Sequence, residues 1–542
     1  MLMYDEAVIY DYIVVGGGSG GAVVAARLSE NPANKVCLIE AGGSGGSLLI
    51  RVPAGVAAIV PGKLFNWAYE TVPQPGLNGR RGYQPRGRAL GGSSAINAMI
   101  YIRGHPADYD HWAALGNHGW SYADVLPFFR KAENNERFGD SCHGRGGPLN
   151  VADSRWRTEL GDAFCRAAAA MQIPLNEDFN GPEQEGAGFY QLTQINGERC
   201  SAARAYLAPA AGRENLHILT GARAEMVLTE HGRARGVRIR QGGRVREIRA
   251  RGEVVLAAGA FVTPQLLMLS GIGDGEELGR HGIEVRHHLP GVGRNLQDHI
   301  DFIFNFVARG GREWLFGMDP GGLWRLLRAI PRWRRHRQGA LTSNFAEAGA
   351  FIRSGPDQAI PDLQLHFVDG IVDDHNRKLH FTTGYSCHVC VLRPRSRGTV
   401  TLQDRNPKSA PRIDPQFLSE EEDLRLLMRG ARIMHRLLQD DAFAPYRGKP
   451  LYPFDIDDDA ALEQAIRDRA DTIYHPVGTC RMGNDDMAVV DERLRLRGIE
   501  GLRIADASVM PTLIGGNTNA PVIMIGEKAA AMMAEDARSG VG

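Results

Sequence analysis

Three glycines, one glutamate and one histidine have the types and spacing of a chemical site. Gly16-x-Gly18-x-x-Gly21 follows an apolar run and opens a helical one. In such a turn Gly16 permits the tight bend, Gly18 lets backbone approach a pyrophosphate, and Gly21 lets helix and strand pack closely. The helix behind the turn offers unpaired N–H groups and the positive end of its dipole to phosphates. Glu40 stands nineteen residues after Gly21. A carboxylate there can accept from both ribose hydroxyls and repels a 2′-phosphate. The combination reads as a dinucleotide cradle and leaves FAD and NAD both open. His475 lies in Tyr474-His-Pro-Val-Gly478. Its neutral imidazole can take a proton near neutral pH, and Pro476 and Gly478 suit a fixed, exposed turn. A satisfied core histidine is the ordinary alternative among 17.

The cradle needs a strand, a helix and a second strand to hold it. Residues 11–15 read as a buried strand, 22–30 have helical spacing, and 36–39 form an apolar strand ending at Glu40. Glycine makes up 66 of 542 residues, about 12% against a usual ~7%. No collagen-like period orders them, so they mark tight backbone sites. Beyond the cradle they cluster at 86–104, 254–293 and 478–526. Strand-like runs at 216–219, 225–228, 362–368, 387–392 and 398–402, and a charged helix at 419–439, lie between. Four separated glycine regions predict one site assembled from distant parts of the chain. Residues 522–537 read as a terminal helix with Pro521 as its first residue. Its positive end would point toward the site of His475.

The 63 basic residues equal the 63 acidic ones, which excludes bulk electrostatic attraction to nucleic acid. An apolar fraction of 43% excludes bulk disorder. Seven dispersed cysteines are no disulfide scaffold. Cys387-x-x-Cys390 sits in an apolar run and reads as buried strand thiols, with no metal site. The N-terminus lacks a basic n-region and a cleavage site, and no apolar run reaches 18 residues. A cytoplasmic location is therefore expected.

Five further motifs stand in order along the chain. They are Arg86-Gly-Arg-Ala-Leu-Gly-Gly-Ser-Ser-Ala-Ile-Asn97, Gly259-Ala-Phe-Val-Thr-Pro-Gln-Leu-Leu-Met-Leu-Ser-Gly-Ile-Gly273 and Gly291-Val-Gly-Arg-Asn-Leu-Gln-Asp-His299, then Tyr474-His-Pro-Val-Gly-Thr-Cys-Arg-Met-Gly483 and Gly515-Gly-Asn-Thr-Asn-Ala-Pro521. With the N-terminal fingerprint they resemble the signatures of the glucose-methanol-choline (GMC) flavoprotein oxidoreductases, over residues 10–533. Within that family the chain is most similar to bacterial membrane-associated alcohol dehydrogenases, with choline dehydrogenases next.

The resemblance implies FAD and a fold of α/β plus α+β class. A doubly wound, Rossmann-type FAD domain (residues 8–150, 205–300 and 470–537) would interleave with a substrate domain on an antiparallel sheet (151–204 and 301–469). The implied FAD contacts are Gly16, Gly18, Ser19, Gly21, Glu40, Ala41, Trp67, Arg86, Leu90, Gly91, Ser93, Asn97, Ala98, Ala224, Asp506, Ala507, Thr518 and Asn519. Asn97 would lie against the isoalloxazine ring, and Asp506 near the ribityl chain and pyrophosphate. Some members attach FAD through a His in the stretch matching Gly92 to Asn97. No His stands there, so non-covalent FAD is expected. His475 matches the family's catalytic His, and Asn519 is taken as its partner, a position that is His or Asn in the family. An amide can donate or accept but is no base at pH 7, so the acid–base work falls to His475, with His299 as a rival. The implied reaction is oxidation of a primary alcohol to an aldehyde. It needs a proton taken by the base and a hydride passed to flavin N5, with a quinone or other non-NAD acceptor.

Choline oxidation and an oxygen-using alcohol oxidase are the alternatives, and a catalytically degenerate FAD-binding protein is the non-enzyme reading. The presence of His475 and Asn519 weighs against the last. Glu347 stands where choline-type and alkanol-type members alike carry Glu, and Phe345 replaces the choline-type His, which leans apolar. One basic stretch, residues 324–337, interleaves Trp324 and Trp333 with arginines. It reads as a solvated helix or as a peripheral membrane contact suited to a quinone acceptor, with Pro331 interrupting the helix.

Overall fold

The computed structural model describes residues 9–539. Two seven-stranded sheets organise them, giving the mixed fold of a doubly wound part and an antiparallel part. The first sheet runs Leu216–Leu219, Val36–Ile39, Ile9–Val15 and Arg244–Leu256, all parallel. Leu502–Ile504 pairs in parallel with the far side of Val254 to Leu256. Where they cross the middle of the sheet these segments are apolar, at 13–15, 36–39 and 254–256, because both faces of the sheet are covered there. Ile13, Val14, Val36, Leu38, Val254 and Val255 are each 0% exposed. The hairpin Ala222–Glu230 and Arg233–Gln241 extends the sheet antiparallel to the first half of Arg244–Leu256.

The helix Ser19–Leu28 crosses from Ile9–Val15 to Val36–Ile39. It lies against the C-terminal helix Asn519–Ser539, where Gly526 leaves room for Val23. Glu527, buried on that helix, takes Arg27 and the Tyr206 hydroxyl as partners. The C-terminal helix begins two residues before the expected Pro521. Pro521 tolerates this because the first helical N–H groups need no intrahelical acceptor.

The second sheet is antiparallel, in the order Arg447–Pro450, Ile300–Ala308, Gly384–Val391, Leu363–Val368, Ala348–Ile352 and Gly186–Phe189. The helix Glu421–Gln439 covers it with Leu424, Leu427, Ala431, Met434 and Leu438, the spacing of one helix face. Each such buried leucine stabilises by about 1.5–3 kcal/mol. Cys387 and Cys390 are free thiols buried in Gly384–Val391, and burial pushes both upward in pKa.

Three local features depart from the sequence reading. Asp471–Thr472, placed above with the cofactor part, pairs with Ile300 and Asp301 of the second sheet. The chain returns along that strand before it turns toward His475. The small hairpin Thr399–Thr401 and Arg412–Asp414, placed with the substrate part, packs Val400 and Ile413 against Tyr69 and Phe261. The basic helix runs unbroken through Pro331, over Pro320–His336, with Asp319 as its cap. The carbonyl of Leu327, which loses its N–H partner to Pro331, lies on an exposed turn, with Leu327 63% exposed. Trp333 turns inward, and its Nε1 donates to the Gly197 carbonyl at 2.9 Å. No helix among the described residues is long and apolar enough to cross a membrane.

Candidate active site

A cavity of about 1220 Å³ takes its walls from both sheets. One end is the glycine turn. Gly16 has φ +104°, and a Cβ there would sit 2.4 Å from the Ala257 carbonyl oxygen. A Cβ on Gly21 would sit 1.9 Å from the Gly16 oxygen. Side chains are thus excluded where strand and helix meet. A Cβ on Gly18 meets nothing nearer than 3.8 Å, because Gly18 borders the cavity. Gly18 caps its helix with no side-chain hydrogen bond, which leaves the first N–H groups to a ligand.

Glu40 closes the cradle. Its carboxyl accepts from the backbone N–H of Gly17 at 2.9 Å and of Gly42 at 2.6 Å, and burial pushes it up to about 7. Ser19 donates to Asn519 Oδ1 at 2.7 Å, linking the N-termini of two helices at the cavity edge. Asp506 accepts from Gly259 N–H at 2.8 Å and from the Thr263 hydroxyl at 2.6 Å. Trp67 stacks on Tyr69 at 5.8 Å between centroids and lies under Arg88 and Arg223. The loop holding Ser93 and Asn97 is pinned by the buried Arg199, which donates to Asn97 Oδ1 at 2.8 Å. Nε and Nη2 of Arg86 are buried in the cavity wall without partners.

Among the expected FAD residues, Gly16, Gly18, Ser19, Glu40, Ala41, Trp67, Arg86, Ser93, Asn97, Ala98, Ala224, Asp506, Ala507, Thr518 and Asn519 line this cavity. Gly21, Leu90 and Gly91 do not. Gly21 acts through close packing, Leu90 sits behind Gly17, and Gly91 donates its N–H to the Gly17 carbonyl at 2.7 Å. An open helix N-terminus, a buried carboxyl beside it, an open face at Gly18 and orphaned guanidinium donors together fit a dinucleotide such as FAD.

His475 stands at the other part of the same cavity. Tyr474 before it has φ +76°, strained backbone of the kind found at functional turns. Asp298 holds the turn, accepting from the His475 backbone N–H at 2.8 Å and from the Thr472 hydroxyl at 2.6 Å. Burial drives His475 well below the usual histidine range, and His299, His366 and Arg86 push in the same direction. The ring is therefore neutral and able to accept a proton.

The amide beside this ring is Asn517, which corrects the expectation of Asn519. Asn517 Nδ2 lies 3.2 Å from His475 Nε2, and its Oδ1 accepts from Gln364 Nε2 at 3.1 Å. Asn519 instead starts the C-terminal helix and turns its side chain to Ser19. His299, the rival base, is fully buried and lies behind the cavity wall, with Nδ1 2.9 Å from Nδ1 of His475. His366 and His388, paired across adjacent strands, also line the cavity. His388 is held by Asp301 at 2.7 Å. No motif singled these two out.

Leu315, Phe316, Phe345, Val368, Ile371 and Val372 give the cavity an apolar wall, joined by Leu326 and Ile330 of the basic helix and by polar Asn376, Lys378 and His380. Glu347 does not reach it. That carboxyl is buried against Asp369 and does not line the cavity, and burial, with the Asp369 charge beside it, raises it far above the carboxylate range.

Models of the GMC oxidoreductase family match residues 10–301 and 394–526. An alcohol dehydrogenase [acceptor] of Pseudomonas putida is 45% identical, covering 96% of this chain and 95% of that one. An oxygen-dependent choline dehydrogenase of Rhizobium etli is 40% identical over 96% and 94%. A formate oxidase of Aspergillus oryzae RIB40, solved to follow a mutation's effect on its FAD modification, superposes with a TM-score of 0.91 at 27% identity, over 99% of this chain and 100% of that one.

Proposed function

The chain belongs to the GMC oxidoreductase family, and on that premise we propose that it oxidises a primary, apolar alcohol to the aldehyde with non-covalently held FAD. The observation that carries this reading is the meeting of His475 Nε2 and Asn517 Nδ2, 3.2 Å apart, in the cavity that the glycine cradle opens. Gly16, Gly18, Ser19, Glu40 and Asp506 would hold the nucleotide and ribityl parts, and Arg86, Ser93 and Asn97 the ring. Bound FAD supplies the hydride acceptor. Non-covalent retention is supported by the absence of any His from Gly92 to Asn97.

The residues of the chain handle the proton. His475 Nε2 takes it from the substrate hydroxyl, since burial keeps the ring neutral. Asn517 Nδ2 donates to the developing alkoxide, and Gln364 keeps that amide turned the right way. The apolar wall excludes water and receives the carbon chain. Glu347, common to choline-type and alkanol-type members, lies outside the cavity and does not choose between the two substrates, whereas Phe345, in place of the choline-type His, lines the cavity and leans it apolar. A quinone fits as acceptor, and the basic helix fits as a peripheral contact beside the cavity mouth. Leu323, Trp324, Leu327 and Ile330 are exposed there among arginines. Anaerobic bleaching of the flavin by 1-alkanols, compared with choline, tests the reading. Bleaching by alkanols alone is expected. Bleaching by choline alone would remove the apolar-substrate assignment.

A further inference from the structure

We propose that His299 is the positioning residue that fixes the ring tautomer of His475, leaving His475 Nε2 bare to receive the substrate proton. The inference deepens the reading of His475 as proton acceptor and rests on it. The two rings stand at 90° and meet Nδ1 to Nδ1 at 2.9 Å. One hydrogen lies between them, carried by one ring or the other. The Leu392 carbonyl decides which. It lies 2.9 Å from His299 Nε2, and a carbonyl only accepts, so His299 carries its hydrogen on Nε2. Burial holds His299 down to about 4, so the ring is neutral and has a single N–H. Its Nδ1 is then a bare acceptor. His475 must donate from Nδ1, and its own Nε2 is bare.

The other end of the chain agrees independently. Gln364 Nε2 donates to Asn517 Oδ1 at 3.1 Å. That turns Asn517 Nδ2, a donor, onto His475 Nε2 at 3.2 Å. Donation thus runs one way, from Gln364 through Asn517, His475 and His299 to Leu392. The other titratable groups facing His475 are His366, Arg86 and Asp298, and Asp298 takes the backbone N–H rather than the ring. A neutral imidazole here occupies the place that a carboxylate holds in a Ser-His-Asp triad. It orients the base without an anion that would raise its basicity. When the substrate proton arrives on Nε2, the Nδ1–H stays on His475 and donates to His299. Without His299 the ring is free to carry its hydrogen on Nε2, where it cannot take another.

Two readouts test this on the FAD-loaded full chain. In protein labelled with 15N-histidine, the resonances lost in His475→Ala identify that ring, and its hydrogen is expected on Nδ1. A wild-type His475 hydrogen on Nε2 would overturn the proposal outright. That measurement stands even if no alcohol bleaches the flavin, so the two readings fail separately. In single-turnover reduction by an alkanol, His299→Leu is expected to slow the rate about 10²–10⁴-fold with FAD retained. His299→Asn, whose Oδ1 can accept from His475 Nδ1, is expected to recover most of the loss. Equal rates in wild type and His299→Leu would also overturn it.

Discussion

Replacing Asn517 by alanine removes one N–H donor from the point where negative charge develops on the substrate oxygen. The structure sets the size of the effect. The amide donates from 3.2 Å of His475 Nε2 and is oriented by Gln364, so it needs no reorganisation to reach an oxygen bound there. A hydrogen bond to a charged partner contributes about 1.5–3 kcal/mol. At about 1.4 kcal/mol per decade, flavin reduction in Asn517→Ala should fall about 10- to 150-fold at saturating alcohol, with FAD still bound. Asn519→Ala should show the opposite split. It removes the acceptor of the Ser19 hydroxyl at the helix N-termini and should weaken FAD retention while the loaded enzyme reduces at near wild-type rate. Stopped-flow reduction and flavin titration of both variants give the comparison. A slow Asn519→Ala beside an unaffected Asn517→Ala would refute the assignment of the two amides.

Two further outcomes follow from the same geometry. Burial raises Glu40 from near 4.5 to about 7 in the cofactor-free chain, so its neutral form stabilises the fold fully below about pH 4.5. That stability is lost as pH rises through 7; the thermal midpoint of FAD-stripped protein should fall across pH 5 to 8, and Glu40→Gln should flatten the fall. The basic helix should bring the enzyme down with anionic vesicles and not with neutral ones. Substitution of Arg332, Arg334 and Arg335 by glutamine should release it, and indifference of the wild type to anionic vesicles removes the peripheral contact.

Where a residue's role is fixed by its immediate neighbours, the sequence sufficed. The strand at 36–39 is legible because both its faces are buried and the apolar run has the strand's own length. The fingerprint is legible because a Cβ at Gly16 or Gly21 meets backbone within the same unit or the adjoining strand. His475 is legible from its Pro-Gly turn. The amide partner is not. Asn517 and Asn519 are two residues apart, just before and at the start of the C-terminal helix, and what separates them is contact with Gln364 and Ser19, the latter 500 residues from Asn519. His299 reads as a rival base because its histidine type is visible in the sequence and its burial is not. The sequence predicts a break at Pro331, yet on an exposed turn the proline costs one hydrogen bond that water replaces. The sequence does not say where the Glu347 carboxyl points. Its placement beside Asp369 comes from the pairing of Ala348–Ile352 with Leu363–Val368.

The most direct measurement is single-turnover, anaerobic reduction of the bound flavin by a 1-alkanol in wild type and His475→Ala. FAD content is checked in both. Loss of a positioned general base slows such a step about 10²–10⁴-fold. The account predicts that loss with full flavin occupancy, since the hydrogen bonds of His475 go to Asp298, His299 and Asn517 and none to the glycine turn. Reduction of His475→Ala at the wild-type rate would show that another group takes the proton, and the assignment of the site would fall with it.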